Sequence, residues 1–238
     1  MSDTEANNAA AGRPNEEAKE YKYSNGCEYN GNWKSNRRHG YGVFKWPSGA
    51  VYEGNFVNDA REGQGKITYS DRSVYEGTWK NDRKEGTGVF TWYLDDGTQA
   101  RYEGPFDRDA MSTKGDQVGE FFWPSGARYR GQWKNNKKHG TGLMTYKDES
   151  TYEGGWLDDK RSGTGKMLWK NGTSYDGDFL FDQRSGMGTY TWPNKCTYSG
   201  AWENGKRQGI GKITYPDGSY YDGQFENNHK HGTGTFHF

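Results

Sequence analysis

Most of this chain alternates with a period of two. In Tyr75-Glu-Gly-Thr-Trp79, the residues Tyr75, Gly77 and Trp79 fall on one side of an extended strand, and Glu76 and Thr78 on the other. A charged stretch follows, then a G-x-G, then a second alternation: Gly88, Phe90 and Trp92 share a face, with Val89 and Thr91 opposite. A period of two rather than 3.6 predicts two short strands. The polar stretch Lys80 to Gly86 is read as the reversal between them.

The same phrase occurs nine times, starting at Tyr29, Tyr52, Tyr75, Tyr102, Tyr129, Tyr152, Tyr175, Tyr198 and Tyr221, with spacings of 23, 23, 27, 27, 23, 23, 23 and 23 residues. A fixed period of this size marks a repeat architecture. Turn sequences such as Pro47-Ser48-Gly49, Pro124-Ser125-Gly126, Asn171-Gly172 and Pro216-Asp217-Gly218 link one unit to the next. The predicted fold is therefore all-β: a single-layer antiparallel meander of nine hairpins. At roughly 9.5 Å per two-strand unit it would run on the order of 90 Å.

All ten tryptophans obey the face assignment. Trp33, Trp79, Trp133, Trp156 and Trp202 take the first-strand position, and Trp46, Trp92, Trp123, Trp169 and Trp192 the second-strand position. That face is expected to be the buried or partner-binding one. The glycines between the rings leave room for a neighbouring ring to lie flat over the backbone.

Nine Y-x-G-x-W phrases in register resemble the MORN family (membrane occupation and recognition nexus), whose units are single β-hairpins stacked into an elongated sheet. The resemblance spans Tyr29 to Phe238. Phe replaces Trp at Phe56, Phe106, Phe179 and Phe225, and Asp replaces Glu at Asp176 and Asp222. The fourth repeat departs most: Gln117 stands where the first Gly of G-x-G belongs, and only Gly119 matches.

Composition agrees with a thin, ring-faced sheet rather than a globular core: hydrophobic residues make up 30% of the chain and aromatics alone 16%. A net charge of zero excludes a general polyanion binder. No apolar run has the length of a transmembrane helix. Cys27 and Cys196 lie about seven units apart, on the order of 65 Å, so they are read as reduced thiols. Asn171-Gly172-Thr173 matches a glycosylation sequon but is read as a turn.

Residues 1–19 are read as a disordered tail and 20–238 as the repeat domain. Residues 20–26 look like the second strand of an earlier unit, ending in an Asn-Gly turn. Two four-residue insertions flank the fourth repeat. One is expected to widen the turn at Tyr93 to Ala100, the other to lengthen the loop at Asp107 to Val118. They are either tolerated length variation or a docking point. The last strand, Thr235-Phe236-His237-Phe238, would be an edge needing cover from a second copy or another protein.

A row of cations recurs at one position, including Arg37, Arg38, Arg83, Lys84, Lys137, Lys138, Lys160, Arg161, Lys206 and Arg207. They are read as a basic edge, on the rim rather than between the rings. Acidic residues such as Glu53, Glu76 and Glu153 recur on the opposite face. The row either solvates the sheet or meets an acidic partner. No hydrophobic anchor accompanies it, which counts against an anionic membrane. The spread of His39, His139 and His231 rules out a shared metal site. No catalytic motif, metal or cofactor is expected. Nucleic acid is disfavoured, because cations on a rim do not make a stacking platform.

The expectation is a non-enzymatic scaffold, with a peripheral membrane module binding anionic phospholipids, or a cortical or basal-body linker, as the alternatives. The resemblance sharpens it: short chains made almost wholly of such repeats are similar to radial-spoke head components of motile cilia. That implies axonemal spoke-head subunits as partners and a cytoplasmic, cytoskeletal, ciliary location.

Overall fold

The computed structural model describes residues 18–238, which form twenty β-strands and no helix. The proposed tail lies outside the described residues except for its last two, and Lys19 already opens a strand. The chain divides into two compact units, one ending at Pro124 and the other Ser125–Phe238.

Unit 1 holds β1 (Lys19–Lys22), β2 (Glu28–Lys34), β3 (Arg37–Lys45), β4 (Val51–Val57), β5 (Ala60–Thr68), β6 (Val74–Lys80), β7 (Arg83–Tyr93), β8 (Gln99–Asp107), β9 (Ala110–Met111) and β10 (Gly119–Phe122). Unit 2 holds β11 (Arg128–Lys134), β12 (Lys137–Thr145), β13 (Thr151–Leu157), β14 (Lys160–Leu168), β15 (Ser174–Leu180), β16 (Gln183–Thr191), β17 (Thr197–Glu203), β18 (Lys206–Thr214), β19 (Tyr220–Glu226) and β20 (His229–His237). Successive strands pair antiparallel from β1 to β9 and from β11 to β20, and β10 pairs back with β8. The meander is as expected. β1 also takes the expected role: Tyr21 faces Tyr29 as Phe44 faces Tyr52.

Three local expectations are corrected. The reversal inside each unit is not Lys80 to Gly86 but the pair Asn81-Asp82, both with positive φ. That is a type I′ turn, whose twist matches the flanking strands. Arg83 to Gly86 are strand residues, held in a bulge opposite Gly77–Trp79. Next, the insertion at Tyr93–Ala100 does not widen a turn. The bonds Leu94 N–Thr98 O and Gly97 N–Leu94 O repeat those of Trp46 N–Ala50 O and Gly49 N–Trp46 O, two residues further out. The added residues lengthen both strands, pairing Trp92 with Ala100 and Tyr93 with Gln99. Finally, the other insertion leaves the tight Arg108-Asp109 turn unchanged. It leaves the sheet after Met111 and returns at Gly119, splitting the second strand of the fourth repeat into β9 and β10.

The core is the ring face. Tyr29, Tyr52, Tyr75, Tyr102, Tyr129, Tyr152, Tyr175 and Tyr198 have no exposed surface. Each lies over the glycines of its own hairpin and donates its hydroxyl to the backbone carbonyl three residues on, as from Tyr75 to Thr78 O at 2.9 Å. Within a unit, Tyr29, Tyr52, Tyr75, Tyr129, Tyr152, Tyr175 and Tyr198 each meet two rings edge-on, their own repeat's and the next one's: Tyr52 has Phe56 at 5.1 Å and Trp79 at 5.4 Å. Such T-shaped pairs contribute about 0.5–1.5 kcal/mol beyond burial. Within each unit, every repeat is thus locked to its neighbour without a second layer.

Candidate interaction surface

The ten tryptophans divide into two rows. Trp33, Trp79, Trp133, Trp156 and Trp202 are buried. Trp79, Trp156 and Trp202 donate their indole N–H groups to the carbonyls of Gly65, Gly142 and Gly188 at 3.0–3.2 Å. Their rings hold the stack together and present almost no surface to a partner. Trp46, Trp92, Trp123, Trp169 and Trp192 are half-buried at the ends of second strands, where the chain enters the inter-repeat turn. Tyr69, Tyr146 and Tyr215 occupy the same position in other repeats and are half-buried too.

The basic row divides likewise. Arg37, Arg83, Lys137, Lys160 and Lys206 open their strands and are exposed. The second cation of each pair does not sit on a rim. The expectation of cations outside the ring row is overturned, because these residues are in the strand and alternate onto the ring face. Arg38 is buried, 4.7 Å from the Phe44 ring and 5.1 Å from Phe56. The Arg61, Lys138 and Arg184 cations lie 4.2, 4.4 and 4.3 Å from the rings of Trp79, Trp156 and Trp202. Lys84 and Lys138 are desolvated there, which lowers their pKa values; Asp109 and Asp159 push back. Burial also lowers Arg184 and Arg207.

Each such cation is anchored by a residue that sequence reasoning passed over. The backbone N–H groups of Arg38, Arg61, Lys84, Lys138 and Arg161 donate to carboxylates of Asp59, Asp82, Asp109, Asp159 and Asp182, all at 2.9–3.0 Å. Each acceptor is the second residue of the next hairpin turn. The Arg side chains add a bond to the same residue's carbonyl, 2.8 Å from Arg61 Nη2 to Asp82 O. The signal was legible: an Asp or Asn stands 21 residues after most of the cations. The rings nearest the cations, such as Trp79, Trp156 and Trp202, are buried and offer bases no face to stack on.

The opposite face carries the acidic residues as expected, but in register with lysines: Lys66 stands between Glu53 and Glu76, and Lys166 between Glu153 and Asp176. Those lysines neutralise the acidic band locally.

A hydrophobic patch was also missed. At two successive hairpin tips of unit 2, Leu157, Leu180 and Phe181 are 39%, 52% and 54% exposed. Phe181 takes the first turn position, with φ of 47°, and the Lys160 ammonium lies 5.7 Å from its ring. Exposed apolar side chains therefore lie beside Lys160, where the sequence reading expected none. β20 is exposed along its whole length and pairs with β19.

A profile of the MORN repeat matches residues 29–51, 52–74, 75–93, 129–151, 152–174, 175–197, 198–220 and 221–238. Eight of the nine units are recovered; the one at Tyr102, which lacks the first glycine of its G-x-G, is not. Among curated proteins no sequence matches. Among solved structures, the G-box domain of the microcephaly protein CPAP is similar over 84% of this chain and 99% of its own, with 12% identity and a TM-score of 0.47. The TCP domain of SAS-4 (dCPAP) from Drosophila melanogaster, in complex with a proline-rich motif of Ana2, is similar over 81% and 96%, with 14% identity and a TM-score of 0.41. These scores are too low to bear on fold or function.

Proposed function

This chain belongs to the MORN-repeat family, and we propose that it is a non-enzymatic scaffold that holds other proteins along its repeats. The observation that carries this reading is the division of labour among the aromatics. One row is consumed in building the stack, and a second row, Trp46, Tyr69, Trp92 and Trp123 in unit 1 and Tyr146, Trp169, Trp192 and Tyr215 in unit 2, is left half-buried at one site in each of the first eight repeats. Regular spacing of one site suits an adaptor better than a single catalytic centre does.

The resemblance to spoke-head components takes the proposal further, to a cytoskeletal subunit of the radial-spoke head in motile cilia. Its neighbours there would be other spoke-head subunits, and the exposed β20, with Thr235, Phe236 and His237, would be a second contact or a site of self-association. Tagging the protein in a ciliated cell, with mass spectrometry of salt-extracted axonemes, tests this. Retention in the axoneme with spoke subunits is the expected result; a diffuse protein with no axonemal partners would overturn it.

A second reading has its own observation. The Leu157, Leu180 and Phe181 tips beside Lys160 combine apolar and basic groups as an interfacial membrane contact does. On that reading the chain is a peripheral module on anionic lipid.

A further inference from the structure

Among the described residues, no strand lies along the outer side of β20. It pairs with β19 on its other side, and every one of its residues is exposed. Phe236 is 40% exposed, whereas Met144, Met167 and Ile213, which hold the same position in β12, β14 and β18, are 5–7% exposed. In those strands the next repeat lies alongside. Gly140, Gly163 and Gly209 each face a ring, from Trp156, Phe179 and Phe225, and Gly142, Gly165 and Gly211 each face a glycine. The corresponding seats on β20 are Gly232 and Gly234.

We propose that β20 pairs with β20 of a second copy of this chain, antiparallel, about a two-fold axis at Gly234. This deepens the scaffold reading, on which it rests, by naming what occupies this edge. The first ground is register. The stretch Gly232-Thr-Gly-Thr-Phe236 is complementary to itself when laid antiparallel about Gly234. Gly234 then faces Gly234, as glycine faces glycine in the interior joints. Gly232 faces Phe236 of the second copy, so a ring again lies beside a glycine that leaves room for it. On the outer face Thr233 meets Thr235 twice, and Thr–Thr pairs across strands are favourable. A slip of one residue would set the rings of one copy beside the outer face of the other.

The second ground is charge. An edge strand is ordinarily kept from pairing by a charged side chain, lysine above all. The position of Thr235 is lysine in three interior strands, at Lys66, Lys166 and Lys212. In β20, both outer-face positions of the pairing stretch are Thr, uncharged and β-branched. Other pairings within the same chemistry fit less well. The first strand of the first repeat, β2, is already taken by β1. β1 itself carries Lys19, Glu20 and Lys22 among its four residues, and joining it to β20 would add copies head to tail without closing. The two-fold pair uses the same edge on both copies and stops at two.

The test is the mass of the full chain in solution, by sedimentation velocity over a concentration series. The expected result is a species of twice the 27.1 kDa of one chain, which grows with concentration and goes no further. Thr233→Lys with Thr235→Lys sets ammonium against ammonium at both pairs, and should raise the dissociation constant about tenfold or more. The hairpin should keep its fold, checked by an unchanged circular dichroism spectrum, because both residues are exposed and Asp222 faces Thr235 as it faces Lys212. Thr233→Glu with Thr235→Glu should likewise separate the copies, and an equimolar mixture of the two double variants should pair again. Thr189→Lys, at the same position inside the stack, should leave the pair intact. A monomer at every concentration, masses that climb beyond two copies, indifference to the lysine variant, or a mixture that stays apart each overturns the proposal. If the unaltered chain is monomeric but still retains its axonemal neighbours, the pairing falls and the scaffold reading stands. If it pairs and no neighbours are retained, the reverse holds.

Discussion

The guanidinium of Arg61 lies 4.2 Å from the centre of the Trp79 ring, in the next repeat. Its Nε bonds the Asp82 carboxylate at 3.0 Å, and its side chain is 13% exposed. Cation–π contact and charge-assisted hydrogen bonding thus meet at one inter-repeat joint. Arg61→Ala should cost about 2–3 kcal/mol. Arg61→Lys keeps the charge but loses the fork, and should recover less than half of that. Urea unfolding of both variants checks it; a loss below 0.5 kcal/mol for Arg61→Ala, roughly surface level, would show the joint to be idle.

Two glycines separate steric demand from backbone strain. A Cβ on Gly211 would sit 2.5 Å from the Tyr198 ring, with no room for either to move. Gly211→Ala should destabilise by about 3 kcal/mol or prevent folding. Gly218 has φ of +90° but nothing within 4 Å of a Cβ. Gly218→Ala should therefore cost only the strain, about 1 kcal/mol. Equal losses in thermal unfolding would contradict this account.

Trp156 combines burial with the bond to Gly142 O at 3.2 Å. Trp156→Ala should cost about 3–5 kcal/mol. Trp156→Phe should cost far less, about 1–2 kcal/mol, since Phe56, Phe106, Phe179 and Phe225 already fill this position elsewhere. Denaturant titration distinguishes the two.

Burial raises the buried tyrosines above their ordinary value of 10, Tyr152 and Tyr198 to about 12 and Tyr29, Tyr52, Tyr75, Tyr102, Tyr129 and Tyr175 further still. The folded state holds these protons more tightly than the unfolded one. Their contribution is complete below pH 10 and is lost as pH climbs from 10 through the folded values. With eight such groups the alkaline transition should be steep. Tyrosinate absorbance of the buried set should rise together with loss of β-structure; ionisation well before unfolding would disprove the coupling.

If the tips of unit 2 touch membranes, Leu180→Ser with Phe181→Ser should reduce co-sedimentation with phosphatidylserine vesicles at least fivefold at low salt. Folding should be undisturbed, because both side chains are exposed. Failure of the unaltered protein to sediment with such vesicles would dispose of the membrane reading.

The repeat, its strands and its ring face could all be read from spacing. Tyr, Gly and Trp at i, i+2 and i+4 leave few ways to bury a ring, and nine copies repeat the statement. What misled was composition. Arg83, Lys84 and Glu85 are charged and stand next to Gly86, so the stretch looked like loop, whereas Asn81-Asp82 alone makes the turn. Once Lys84 is counted as strand, alternation places it with Gly88 and Phe90 on the ring face, where its ammonium lies 5.0 Å from the Phe90 ring. Partners 21 residues away, such as Asp82 for Arg61, are invisible to a reading confined to one repeat. The Leu180-Phe181 tip escaped because a turn was assumed to be polar.

Within unit 2 the joints between repeats all use the same register: Gly140 faces Trp156, Gly163 faces Phe179 and Gly186 faces Trp202. Excising residues 152–174 would put Asp182 where Asp159 caps Lys138, and Phe179 where Trp156 meets Gly140. No new interface has to be invented. In an ordinary globular fold, losing 23 residues opens the interior; here it shortens a series by one term. Loss or duplication of one such repeat within unit 2 should therefore cost little in folding.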